Sequence, residues 1–158
     1  MQTVALIFHW VGYIIVAIII QQFFPGVDAL LPGFLIALQS EDKPTIFWLF
    51  LVFALVQEGC GSLKVGTSIL WYGGHIVLYK VCERFVVPTG LGGVLLFAVL
   101  SGIYGLFVIG FMVAIQDIRV VYPVALKECL TQTLLIPLIW LAFGSLRRRM
   151  VKKYAAVD

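Results

Sequence analysis

Six apolar runs follow one another in a chain of 158 residues, and the short connections between them together with the terminal segment hold most of the charged side chains. A membrane-spanning helix takes roughly 20 apolar residues, so runs at this density leave room for little besides the spans. The sequence therefore predicts an all-α integral membrane protein: a compact bundle of six transmembrane helices forming a single domain over residues 1–158. With 62% of its residues hydrophobic and only 12% charged, the chain cannot cover such a bundle with a water-compatible surface.

The expected spans are about 4–24, 27–39, 44–57, 66–82, 89–115 and 122–146, followed by a basic cytoplasmic tail over 147–158. Pro25-Gly26, Glu41-Asp42-Lys43-Pro44, Lys64, Glu83-Arg84 and Asp117-Ile118-Arg119 separate them. The second and third runs are short, reaching about 20 Å by helical rise against a hydrocarbon core of about 30 Å. Folding them as one re-entrant hairpin would bury Glu41, Asp42 and Lys43, at a cost on the order of 3 kcal/mol for each charge. Two short, tilted spans cost less, so six crossings are expected.

Six crossings put both termini on one side. Placing them in the cytoplasm gathers Lys43, Lys80, Arg84, Arg147, Arg148, Arg149, Lys152 and Lys153 there, and leaves Lys64 and Arg119 outside. The positive-inside rule favours this orientation. No basic residue precedes the first run and no small-x-small cleavage site follows it, so it reads as a span rather than a signal peptide. The net charge of +3 does not point to nucleic acid, because five of the eleven basic residues form the terminal cluster, a pattern suited to lipid headgroups or cytoplasmic components.

Catalysis needs a nucleophile beside a base, or carboxylates around a metal, and neither spacing is present; no enzyme activity, metal or cofactor is expected. Cys60, Cys82 and Cys129 are widely spaced and read as soft packing residues. His9 and His75, one on each of two helices and at similar expected depth, are the residues a b-type haem subunit would use for axial ligation. The plainer reading of His75 is a hydrogen bond to a neighbouring helix. Lys127, Glu128, Thr131, Gln132 and Thr133 make a polar patch in the last span, with Glu128 and Gln132 one helical turn apart.

The fifth run carries three small-x-x-x-small pairs, Ala98 with Gly102, Ser101 with Gly105, and Gly110 with Ala114, which allow close helix approach. Packing inside the bundle is favoured over a partner interface there. The most individual stretch is Gln57-Glu58-Gly59-Cys60-Gly61-Ser62-Leu63-Lys64-Val65-Gly66: an acid ends one helix, small residues make a turn, and a glycine opens the next helix. Glu58, Gly59, Gly61, Ser62, Lys64 and Gly66 are the candidate partner-binding residues.

That stretch, followed by Leu70-Trp71-Tyr72 and preceded by a short run after Leu31-Pro32, resembles the bacterial rod shape-determining MreD family. The resemblance extends to Pro137 in the last run and to the basic end at Arg147-Arg148-Arg149, while Glu58 stands where the family's usual acid is Asp. It implies a non-enzymatic inner-membrane subunit of the cell-elongation machinery, with a fold like that of transporter S components. Such a subunit binds the scaffold protein MreC near RodA, its penicillin-binding partner and MreB, and helps organise peptidoglycan synthesis. A vitamin-binding S component of an energy-coupling-factor transporter is the rival expectation; Trp71, Tyr72, Tyr104 and Tyr122 would then line its pocket.

Overall fold

The computed structural model describes residues 2–24, 26–40, 42–60, 66–86, 90–116 and 121–155, with side chains at 2–5, 40, 60, 116 and 145–155 outside that description. It is all-helical there: α1 (Gln2–Phe23), α2 (Leu31–Ser40), α3 (Lys43–Cys60), α4 (Thr67–Phe85), α5 (Leu91–Gln116) and α6 (Tyr122–Ala155). Pro32, Pro44 and Pro123 each stand second in their helices, where an amide N–H has no helical partner to lose. Gly66, at a φ of +94°, turns the chain into α4 in a conformation that favours glycine.

The helix α2 occupies the centre and packs against α3, α4 and α6, while α5 lies against α4 and α6. From Leu31 to Ala37 every residue of α2 is buried, as expected for a helix apolar on all sides. Phe34 of α2, Phe53 of α3 and Tyr72 of α4 meet around it, with ring centroids 5.4 to 6.2 Å apart. Outside, the bundle is apolar: Phe8, Phe23, Leu55 and Leu134 are each more than two-thirds exposed. Among the described residues, three helices hold stretches long and apolar enough to cross a membrane, Leu6–Phe23, Leu91–Ile115 and Tyr122–Gly144.

Hydrogen bonds fix how the helix ends gather. The end of α1 meets the end of α3 through Gln21 and Gln57, and the start of α4 meets the end of α5 through Thr67 and Met112. The residues just before α2 join the same end. At the opposite end of α2, Gln39 accepts from the Trp140 indole of α6 at 2.8 Å.

Four element boundaries differ from expectation by three residues or more, one of them the end of α4, at Phe85 rather than 82. The second run is not helical from residue 27: Val27 and Asp28 are buried without regular structure, Ala29 and Leu30 are buried in a turn, and the helix proper has 10 residues, about 15 Å by helical rise. The third is longer than expected, 18 residues or about 27 Å, because the helix runs on through Gly59 and Cys60. The basic segment expected as a tail is helical as far as Ala155, continuing α6 without a break.

Candidate functional site

Buried backbone that is not helical must find partners for its N–H and C=O groups. The stretch from Val27 to Leu30 raises that problem just ahead of α2. Asp28 solves most of it. Its Oδ1 accepts from the amides of Leu30 at 2.9 Å and Leu31 at 3.3 Å, covering two of the amides that the start of α2 leaves without helical partners.

The backbone of Asp28 is held in turn by Gln132 of α6. Gln132 Oε1 accepts from the Asp28 amide at 2.7 Å, and Gln132 Nε2 donates to the Asp28 carbonyl at 2.8 Å. One side-chain amide thus satisfies both polar groups of one peptide residue. Tyr13 of α1 does similar work one step on: its hydroxyl donates to the Ala29 carbonyl at 2.6 Å and accepts from the Gly33 amide at 2.7 Å. Gly33 has no room for a Cβ, which would overlap the Tyr13 ring.

The second carboxylate oxygen of Asp28 faces α4. Trp71 Nε1 and the Tyr72 hydroxyl both donate to Oδ2 at 2.8 Å. Gln21 Nε2 completes the set, donating to Asp28 Oδ1 at 3.3 Å and to Gln57 Oε1 at 3.0 Å. Five donors from α1, α4 and the α2 start therefore converge on one carboxylate, which no cation approaches among the described residues. Charge-assisted hydrogen bonds of this kind are roughly twice as strong as neutral ones and offset the cost of burying the carboxyl group. The hub ties α1, α2, α3, α4 and α6 together at one end of the bundle.

Next to the hub, the α3–α4 connection is closed by Glu58, whose Oε1 accepts from the Gly66 amide at 2.8 Å. Of the candidate partner-binding residues, Glu58 and Gly66 are thereby brought together, and Gly59 lies in the last turn of α3 with open space over its Cα. Gly61, Ser62 and Lys64 lie outside the described residues.

The expected polar patch on α6 divides. Gln132 turns inward to Asp28, the Thr131 and Thr133 hydroxyls donate to the carbonyls one turn earlier, and Glu128 lies against Gly26, whose φ is +85°. The small pairs on α5 divide as well. Ser101 is buried and bonded to His75, and Gly102 and Gly105 admit Thr133, Cys129 and Trp71 at contact distance, so these pairs pack the interior. Gly110 has nothing within 4 Å of a Cβ position, and Ala114 is exposed.

Both ring nitrogens of His75 are engaged, Nδ1 with the Trp71 carbonyl at 2.7 Å and Nε2 with Ser101 Oγ at 2.8 Å. The Ser101 contact is the interhelical hydrogen bond that the plainer reading expects of His75. The aromatic set expected around a vitamin is likewise occupied: Trp71 and Tyr72 bind Asp28, the Tyr104 hydroxyl donates to the Leu70 carbonyl at 2.7 Å, and Tyr122 is exposed. Arg147, Arg148, Arg149, Lys152 and Lys153 fall on the helical extension of α6.

Asp28 is the residue that sequence reasoning missed, absorbed into an apolar run. Its signal was nevertheless present. Pro25-Gly26 interrupts any helix before it, Pro32 marks a helix start, and an Asp side chain just ahead of such a start can accept from backbone amides two residues on, as in an Asx-turn. No protein-family model matches the chain, and no solved structure matches it.

Proposed function

We propose that the chain is a non-enzymatic subunit of the bacterial inner membrane that acts by binding other membrane polypeptides, in the manner of MreD. Its six helices would cross the bilayer with both ends in the cytoplasm. Its partner would be an MreC-like scaffold, with RodA, its penicillin-binding partner and MreB close by, in the machinery that elongates the cell.

The observation that carries this reading is the closure of the α3–α4 connection by Glu58 on the Gly66 amide, since that turn is where the resemblance is most detailed. The Glu58–Gly66 bond fixes the end of α3 against the start of α4, and such a pre-set anchor lowers the ordering cost of recognition. Two further features support it. The polar groups at the hub face one another rather than a vacant site, and the outer helix faces are apolar, as suits contact with lipid and partner helices.

Affinity purification from native membranes, followed by identification of the retained proteins, tests the proposal. Glu58→Gln keeps an acceptor for Gly66 and is expected to retain the scaffold. Glu58→Lys and Gly66→Leu open the turn and are expected to lose it while still inserting. Equal recovery by all three inserted variants removes the turn as the docking site, and the absence of any shape-determining protein from the wild-type eluate removes the MreD-like assignment.

A further inference from the structure

The helix α6 has 34 residues, of which the 23 described from Tyr122 to Gly144 form an apolar stretch. Those 23 residues rise about 35 Å, enough for a hydrocarbon core of about 30 Å. The helix then continues through Ala155 for about 16 Å more, carrying Arg147, Arg148, Arg149, Lys152 and Lys153 and no acidic residue.

The spacing of those charges from the end of the apolar stretch is informative. Arg147 to Arg149 fall about 5 to 8 Å beyond Gly144, the depth of a headgroup layer about 5 to 7 Å thick on each side. Lys152 and Lys153 fall about 12 to 14 Å beyond it, within roughly one Debye length of the phosphates. At 100° per residue the register places Arg148, Arg149, Lys152 and Lys153 within an arc of about 140°, and Leu146, Met150 and Tyr154 within a separate arc of about 80°, with Arg147 about 20° beyond its far edge. A continuous helix fixes that segregation, whereas a flexible tail would have to lose conformational entropy to achieve it.

We propose that residues 145–155 form an anionic-lipid docking helix, in which the basic arc engages the phosphates of one leaflet and so sets the depth and rotation of the bundle. The proposal rests on the reading that α6 crosses the membrane. Its ligand is the phosphodiester headgroup of an acidic phospholipid. Basic residues at headgroup depth favour that ligand over an acidic protein, which would have to reach into the same layer.

The test uses the full chain reconstituted with equal amounts of phosphatidylglycerol and phosphatidylcholine, the lipids retained after detergent extraction being counted by native mass spectrometry. The wild type is expected to retain phosphatidylglycerol about ten-fold over phosphatidylcholine, given roughly five-fold for each basic residue near an anionic surface and partial loss in detergent. Replacing Arg148, Arg149, Lys152 and Lys153 together by Gln is expected to abolish the preference, while Lys80→Gln with Lys127→Gln preserves it. Equal retention of the two lipids by the wild type, or an unchanged preference in the fourfold variant, overturns the proposal. Alkaline carbonate extraction separates the two levels: a chain that stays with the membrane yet shows no lipid preference refutes the docking helix alone, whereas release into the supernatant refutes the spanning reading beneath it.

Discussion

Replacing Asp28 by Ala removes the acceptor shared by five donors, and the structure allows the cost to be worked through. Gln21 keeps its bond to Gln57, and the Tyr72 hydroxyl can rotate, but the Trp71 indole N–H is a donor only. The Leu30 and Leu31 amides, which share one oxygen, lose it together. Each buried donor left without a partner costs about 1 to 3 kcal/mol, so two to three effective losses come to roughly 5 kcal/mol. Relief from burying a charged group returns part of this, leaving about 3 to 4 kcal/mol. For a chain of this size that lowers Tm by about 10 °C. Asp28→Asn keeps an oxygen for the two amides and orphans mainly Trp71, for about 1 to 2 kcal/mol. The assay follows from the fold: buried Cys82 and Cys129 become reactive to a fluorogenic thiol reagent only on unfolding, with Cys60→Ser as the background. An Asp28→Ala protein melting within about 2 °C of its parent would refute the hub as a source of stability.

Two further substitutions probe close packing by the same assay. Gly33→Ala drives a methyl into the Tyr13 ring, whose hydroxyl bridges Ala29 and Gly33, and is expected to cost about 3 kcal/mol; a neutral result would mean that Tyr13 does not sit there. Gly102→Ala overlaps Thr133 Oγ1 and is expected to cost about 1 to 2 kcal/mol, much of it recovered when Thr133→Ala is combined with it, whereas Gly110→Ala, with open space above it, is expected to be neutral or stabilising by up to about 1 kcal/mol. Additive effects at Gly102 and Thr133 would contradict the α5–α6 contact.

The order and helical character of the elements were legible in the sequence because long apolar runs and their charged breaks set them directly. The beginnings of α4 and α6 agree with expectation within about a residue, since Gly66 and Pro123 mark them locally. The start of α2 was not legible by hydropathy. Val27, Ala29 and Leu30 are as apolar as any helix interior, and what stops the helix from including them is a set of bonds to Tyr13 and Gln132, one of them 104 residues away. For the same reason Asp28 looked like an isolated charge in an apolar run. Its side-chain donors stand on α1 and α4 and only the fold brings them together. Gln132 was read as polar, but its inward direction depends on the rotation of α6, which short-range pattern does not fix. His75 shows the opposite case, where the plain expectation of an interhelical hydrogen bond holds, with Ser101 as the partner.

Side chains standing in for helical hydrogen bonds around a buried, non-helical segment are the centre of this account, and amide hydrogen exchange of residues 26–33 in the solubilised protein tests that most directly. The amides of Asp28, Leu30, Leu31 and Gly33 are expected to exchange as slowly as those of the α2 interior, and Gln132→Ala is expected to accelerate Asp28 first. Exchange of these four amides at the rate of an open loop, unaffected by Gln132→Ala, would contradict it.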